Sequence, residues 1–228
     1  SSTKQAEGRN SECLLQPVRT YNAGTQKIYV LCEVLNQDKT PHVSNKRAKL
    51  AKICKKTKNK CFWWGFEQEY FITKDSVPLE LTGINAEVAI GQWEYQCFAK
   101  DTLKACDDLW MSRYILYQMS EQKGWDIDMS PKPVSGDWNG SGCHTNFSFK
   151  EMRKNWSKEK MENLMLKFKA THELHISEYG QDNEKRLTGN HETQSIDRFS
   201  WGVGDRGSSI RVPSSVKQNR WCGYIEDR

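Results

Sequence analysis

Trp63-Trp64-Gly65-Phe66-Glu67-Gln68-Glu69-Tyr70-Phe71-Ile72 carries two glutamates, two residues apart, inside a run of aromatic side chains. Aromatic and β-branched residues favour a pleated strand, and side chains on a strand alternate, so Glu67 and Glu69 are predicted to share one face. Two carboxylates set side by side among aromatics are costly to bury without a compensating cation. The pattern recurs in Gly83-Ile84-Asn85-Ala86-Glu87-Val88 and in Gly91-Gln92-Trp93-Glu94-Tyr95-Gln96. With a turn over residues 89–92 joining two short strands, Glu87 and Glu94 are expected to point into the same cavity. One strand glutamate facing solvent is ordinary. Four glutamates flanked by Trp, Tyr or Ile make a shared metal site the better expectation. Hard carboxylate oxygens with at most one imidazole suit Mg²⁺ or Mn²⁺ rather than Zn²⁺, and clustered Mg²⁺ points to phosphoryl chemistry.

Outward from this stretch the chain alternates strands and helices. Cys13-Leu14-Leu15 and residues 27–34 read as strands bounded by Asn22-Ala23-Gly24 and Asn36-Gln37-Asp38, and strand patterns return at 62–73 and 93–98. Residues 45–60 read as a helix crowded with lysines over a thin apolar stripe of Leu50, Ile53 and Cys54. It has two readings, a nucleic-acid helix or a solvated surface, and the second is favoured because no aromatic residue interleaves with the charges. Residues 107–121 predict a helix apolar over much of its circumference, hence well buried. A polar loop follows over 128–142. A second helix is predicted from the N-cap Ser157 through Met161, Leu164, Met165, Phe168, His172, His175 and Ile176. His172 and His175 lack the HExxH spacing and a nearby acidic ligand, so packing histidines are expected over a metal pair.

Composition narrows the classes. At 228 residues the chain fits one large domain or two modest ones. No stretch approaches the roughly 18 consecutive apolar residues of a membrane helix. The net charge of +5 is spread among both signs, so neither a nucleic-acid nor a membrane partner is expected. Eight cysteines without a CxxC pair, lying in or beside apolar runs, read as reduced thiols of an intracellular protein. The chain opens on Ser1-Ser2-Thr3 without an initiator Met and ends on Glu226-Asp227-Arg228, so both ends are expected to be cut from a longer protein.

Two further groups of residues support phosphate chemistry. Gly136-Asp137-Trp138-Asn139-Gly140-Ser141-Gly142-Cys143-His144-Thr145-Asn146 is a glycine-rich turn that admits a ligand close to the backbone and delivers one histidine. Arg186-Leu187-Thr188-Gly189-Asn190-His191-Glu192-Thr193 and Gly202-Val203-Gly204-Asp205-Arg206-Gly207-Ser208-Ser209-Ile210-Arg211 set arginines in Gly/Ser loops, suited to carboxylate or phosphate.

Taken in order, Glu67-Gln68-Glu69-Tyr70, Gly83-Ile84-Asn85-Ala86-Glu87, Gly91-Gln92-Trp93-Glu94, Gly140-Ser141-Gly142-Cys143-His144-Thr145-Asn146, Arg186-Leu187-Thr188-Gly189, Arg206-Gly207-Ser208-Ser209-Ile210-Arg211 and Gly223-Tyr224-Ile225-Glu226-Asp227-Arg228 resemble the eukaryotic-type glutamine synthetase family. The resemblance spans nearly the whole chain. It implies one divalent metal on Glu69, Glu87 and Glu94 and another on Glu67, His144 and Glu226, as Mg²⁺ or Mn²⁺, two or three per site. It implies that Asn139, Gly140, Arg186 and Arg206 bind substrate. Asn146, Ser148, Arg211 and Arg228 would lie at the nucleotide, and Glu192, Arg206 and Arg228 would be catalytic, with Glu192 on a mobile flap over the ammonium site. The implied reaction joins ammonia to the γ-carboxylate of glutamate at the expense of ATP, through an acyl phosphate.

By the same resemblance the fold is α+β. A partial N-terminal β-grasp domain is expected over residues 1–44, and a larger catalytic domain over 45–228, with a curved antiparallel sheet flanked by helices. Subunits are expected to assemble into stacked rings, a decamer, with sites between neighbours, in the cytoplasm or, with that option left open, in an organelle. Between Tyr70 and Gly83 the family carries several tens of residues more, which are expected to be missing from the sequence rather than deleted from the gene. Residues 98–106 depart from a glycine-richer family segment. Asp205 puts an added carboxylate beside Arg206, expected to weaken phosphate binding. Two alternatives stay open: a noncatalytic scaffold or regulatory subunit, and a γ-glutamyl ligase for another amine.

Overall fold

The computed structural model describes residues 12–24, 26–74, 77–78 and 87–228. The Gly83-Ile84-Asn85-Ala86 part of the second acidic motif, and Ser1-Ser2-Thr3, lie outside them.

The chain begins as an antiparallel pair, β1 (Leu14–Asn22) and β2 (Ile28–Leu35), that forms its own small sheet. Helix α1 (Lys46–Lys56) follows, capped by Asn45, whose side chain accepts the Ala48 N–H at 3.0 Å. None of its residues is buried, so its lysines form a solvated face.

The second sheet has eight strands: β3 (Trp63–Lys74), β4 (Val77–Pro78), β5 (Gln92–Ala99), β6 (Asp126–Asp128), β7 (Cys143–Ser148), β8 (Trp201–Val203), β9 (Ile210–Val212) and β10 (Ile225–Asp227). Its path runs β4-β3-β7-β10-β9-β8, with β5 and β6 also paired to β3. All pairs are antiparallel except β8 with β9. The long aromatic strand β3 is therefore the hub on which the acidic motifs assemble.

Helices α2 (Thr102–Glu121), α3 (Lys150–Lys154), α4 (Lys158–Ala170), α5 (His172–Glu178) and α6 (Ser214–Gln218) complete the mixed α/β architecture. One core joins Met152 of α3, Met161 and Met165 of α4, and Val216 of α6 to Ile210, Val212 and Ile225 of β9 and β10. Alternation then leaves Glu226, between Ile225 and Asp227, on the opposite face of its strand. None of the described helices is long and apolar enough to cross a membrane.

Two helix expectations are corrected. Helix α2 starts earlier, at Thr102, with Asp101 accepting the Lys104 N–H at 2.7 Å as N-cap. It is not buried all round: Trp110 and Met119 are each 62% exposed, and Tyr114 and Tyr117 also face out. Its buried positions are Ala105, Asp107, Leu109, Met111 and Ser120, so the face on the protein is small and partly polar. The helix predicted from Ser157 through Ile176 is two helices. Thr171 breaks it at φ −116°, ψ 15°, where its hydroxyl joins its own N–H on the Lys167 carbonyl, at 2.9 Å and 3.2 Å. Ser157 does cap α4, accepting the Lys160 N–H at 3.2 Å. His172 is tied to the Ile196 carbonyl at 2.9 Å and His175 packs edge-on to Phe168, in packing roles. The described cysteines are all free thiols.

Candidate active site

Register on β3 does most of the assembly. Glu69 lies opposite Glu94 of β5, and Glu67 lies opposite His144 of β7, so alternation puts all four on one face of three adjacent strands. Strand β10 adds Glu226 from the far side of β7, where it pairs with Asn146 on one flank and Arg211 of β9 on the other. Glu87 reaches the same space from the turn before β5, its N–H donating to the Gln92 carbonyl at 2.9 Å. These residues line one cavity of about 160 Å³ with Asn139, Gly140, Arg186, His191, Glu192, Thr193, Arg206, Arg211 and Arg228.

Within it, Glu67, His144 and Glu226 are the one set among the described residues whose donor atoms all lie within 4.8 Å of each other. His144 Nδ1 is 3.4 Å from Glu226 Oε1 and 3.8 Å from Glu67 Oε2. Glu69, Glu87 and Glu94 share the cavity without closing to that spacing. Glu69 is held by the Gly142 N–H at 2.7 Å, and Glu94 accepts from Gln96 at 3.3 Å.

The electrostatics are those of a site with too much negative charge. Burial, then Glu69, pushes the Glu87 carboxyl above its ordinary range, and burial, then the neighbouring acids, does the same for Glu94 against a hydrogen bond from Gln96. Glu67 is held low, first by its hydrogen bond to His144, against burial and with help from Asn146. Burial pulls the His144 ring down, and its bonds to Glu226 and Glu67 outweigh this, holding it above the usual imidazole range. Of the cavity's six carboxylates and two imidazoles, Glu67, Glu69, Glu87, Glu94, Glu226 and His144 are a donor set suited to hard divalent cations.

The arginines stand around the rim. Arg211 pairs with Glu226 Oε2, and Arg228 Nη1 lies 3.6 Å from Glu226 Oε1. Arg206 Nη1 is 3.4 Å from Glu192. Arg186 is placed by glycine: a Cβ on Gly140 would stand 2.4 Å from Arg186 Cγ and 2.6 Å from the Pro131 carbonyl oxygen. Its Nε and that of Arg228 are buried without a hydrogen-bond partner among the described residues. Buried, unpaired guanidinium donors beside a cavity suit an anionic guest.

A second cleft, about 500 Å³, opens on the far side of Glu67. Asn146 and Ser148 line it, as do Trp63, Phe98, Phe147, Arg153 and Tyr224. Arg153 donates to Ser148 Oγ at 2.8 Å and its guanidinium lies 4.0 Å over the Trp63 ring. Asn146 bridges the two spaces, donating to Glu67 Oε1 at 2.6 Å.

The family description "Glutamine synthetase, catalytic domain" matches residues 65–175. The chain is 43% identical to a glutamine synthetase of Bradyrhizobium diazoefficiens, a match covering all of this chain and 78% of that protein. It is 40% identical to one of Schizosaccharomyces pombe, covering 76% of it, and 41% identical to a chloroplastic one of Chlamydomonas reinhardtii, covering 72%. The chain belongs to the glutamine synthetase family. The Bradyrhizobium match runs over 275 residues against the 228 of this chain, so that family member carries residues without a counterpart here.

Set against the family expectation, every residue expected to hold metal or substrate lines the carboxylate cavity, as do Glu192, Arg211 and Arg228, while Asn146 and Ser148 line the aromatic cleft. Asp205 does not face Arg206's cavity. Its Oδ1 accepts the Gly207 N–H at 2.9 Å, closing a local turn that keeps the carboxylate occupied. Arg153 and Tyr224 went unassigned in the sequence because Arg153 sits in a five-residue helix too short to show a period, and Tyr224 in a loop.

Proposed function

We propose that this member of the glutamine synthetase family makes glutamine, ADP and phosphate from glutamate, ammonium and ATP, with the cavity as its catalytic centre. The observation that carries the reading is the register that gathers Glu67, Glu69, Glu94, His144 and Glu226 on one face beside the unpaired Arg186. Glu69, Glu87 and Glu94 would hold one divalent cation and Glu67, His144 and Glu226 another, as Mg²⁺ or Mn²⁺. When bound, these cations supply positive charge to phosphate oxygens and to the transferring phosphoryl group.

The chain's own residues divide the remaining work. Arg186, whose side chain packs where a Cβ on Gly140 would stand, receives the substrate carboxylate with Asn139 and Gly140. The nucleotide lies in the aromatic cleft, where Asn146 and Ser148 meet it, Tyr224 offers a face for a base and Arg153, stacked on Trp63, adds positive charge. Its phosphates then point past Glu67 toward Arg211 and Arg228. A carboxylate is a poor electrophile, so phosphorylation of the γ-carboxylate precedes amination, with Arg206 and Arg228 countering the charge that develops. Glu192 at the cavity mouth accepts a proton from ammonium, leaving neutral ammonia to attack the acyl carbon.

The same proposal takes residues 1–44 as a partial β-grasp domain and 45–228 as the catalytic domain, supported by the separate sheet of β1 and β2. Self-association into stacked rings, a decamer, is supported by the apolar side chains exposed on β1, β2 and α2. Incubation of full-length protein with ATP, Mg²⁺, glutamate and ammonium is expected to yield glutamine and phosphate in equal amounts. Absence of both under saturating substrates would overturn the reading, and preferential formation of a γ-glutamyl amide from another amine would change its acceptor.

A further inference from the structure

Residues 190–193 form a turn whose shape its sequence does not favour. The Thr193 N–H donates to the Asn190 carbonyl at 3.1 Å, and both central residues, His191 and Glu192, lie in the left-handed region at φ 52° and 60°. Positive φ at both centres defines a type I′ turn, a shape normally given to Asn-Gly or Gly-Gly because a side chain there is sterically opposed. Two consecutive residues with large side chains in that shape need external restraint.

The restraint comes from opposite rims of the cavity. His191 Nε2 meets Asp137 Oδ1 at 3.0 Å, on the loop that carries Asn139 and Gly140. Glu192 meets Arg206 at 3.4 Å, on the loop before β9. The turn's base is tied by Thr193 Oγ1, which donates to the Asn190 carbonyl at 2.7 Å and the Arg186 carbonyl at 3.2 Å. His191 lines the cavity, whereas Asp137 stands in solvent against the His191 ring.

We infer that His191 and Asp137 are a latch that holds the strained turn across the cavity mouth, and that both are positioning residues for Glu192. This rests on the proposed reading of Glu192 as the proton acceptor of the amination step. With the latch engaged, Glu192 stays over the reacting centre and water is kept from the acyl phosphate. With the latch released, the turn relaxes and water competes with ammonia. Water oxygen then adds to the acyl carbon, the carbon–oxygen bond to phosphate breaks, and phosphate leaves with the electron pair. Glutamate is regenerated and a proton is released, so ATP is hydrolysed without glutamine.

Two measurements on full-length protein test this. The first is phosphate released per glutamine formed, which is about one in a coupled ligase. Asp137→Ala and His191→Asn are each expected to raise it about threefold or more, with the KM for ATP held within about twofold. Asn accepts left-handed φ, so His191→Asn relieves strain while removing the latch, and loss of folding does not mimic the result. Asp137→Asn keeps an acceptor for a His191 N–H and is expected to restore a ratio near one. A ratio that stays at one in both latch variants overturns the inference, as does equal loss of both products. The second measurement needs no turnover. Hydrogen exchange at the Thr193 amide, bonded across the turn to Asn190, and at the Ile196 amide, bonded to Leu187 at the foot of the same loop, is expected to quicken about tenfold in Asp137→Ala. Unchanged exchange there overturns the latch whatever the activity, whereas wild-type protein that makes neither product overturns only the functional reading.

Discussion

Two charge clusters in this molecule are built from the same residue types and end in opposite conditions. Asp107 of α2 is 3% exposed and is gripped from two sides: Arg19 Nε reaches Oδ2 at 2.9 Å, while Arg47 reaches Oδ1 at 2.9 Å and Oδ2 at 3.0 Å. Glu33 stands 3.9 Å from Arg47, so two acids face two bases and the account of charge closes within the protein. The cavity sets six glutamates against four arginines and does not close. Its surplus of acid shows in the raised carboxyls of Glu87 and Glu94, while the Nε atoms of Arg186 and Arg228 find no hydrogen-bond partner among the described residues. A satisfied cluster pins β1 and α1 to α2. An unsatisfied one, walled and facing solvent, is poised for ions and substrate.

The contrast breaks most visibly on removal of one acid from each cluster. Glu69→Ala is expected to lower glutamine formation by about a thousandfold while changing unfolding free energy by only about 1 kcal/mol, since it removes charge from a surplus. Steady-state assay with urea unfolding checks both halves, and undiminished turnover would dissociate Glu69 from the metals. Asp107→Ala is expected to do the reverse. It strands two arginines and costs about 3 kcal/mol of stability, while the kcat of the folded fraction stays within about threefold.

Gly140→Ala probes the cavity wall at smaller cost. Its Cβ would meet Arg186 Cγ at 2.4 Å, so the guanidinium must move. The expected result is a KM for glutamate raised about tenfold, with the KM for ATP little changed, because neither Gly140 nor Arg186 lines the aromatic cleft.

The smallest effect is one of pH. Burial pushes Asp107 up, and the hydrogen bonds from Arg47 and then Arg19 outweigh it, so its folded pKa lies below the ordinary carboxylate value. The unfolded state therefore binds the proton more readily than the folded one, and stability rises with pH across that window. The contribution is present above the unfolded carboxylate pKa of about 3.9 and is lost as pH falls through the folded value. Wild type is expected to lose more stability than Asp107→Asn as pH falls through this range, measured by thermal unfolding. Parallel curves would show that the pair contributes no pH-dependent stability.

The two clusters also differ in how far the sequence discloses them. Glu67 and Glu69 were readable as one face because strand alternation is a local property and the aromatic flanks marked them as enclosed. That Glu67 would stand opposite His144, and Glu226 one strand further on, depends on pairing between segments far apart in the chain, which no local pattern contains. The family resemblance supplied that set instead. The Asp107 cluster escaped notice altogether. A helix rich in Trp, Tyr and Met reads as buried, yet periodicity locates stripes without saying which stripe is covered, and here the covered one contains Asp107 while Trp110 and Met119 face out. Thr171 divides α4 from α5 by a backbone kink at φ −116°, ψ 15°, which the apolar repeat running through it conceals. Arg153 joined the cleft through its stack on Trp63 and its bond to Ser148, contacts of a short helix with the start of β3 and the end of β7.

The central claim is that the open cluster is a divalent-cation site. It is tested most directly by anomalous diffraction from crystals of the protein grown with Mn²⁺ and a nucleotide. A manganese peak bounded by Glu67, His144 and Glu226, with a second near Glu69, Glu87 and Glu94, is the predicted result. Crystals of protein active in glutamine synthesis with no manganese among those side chains would contradict it.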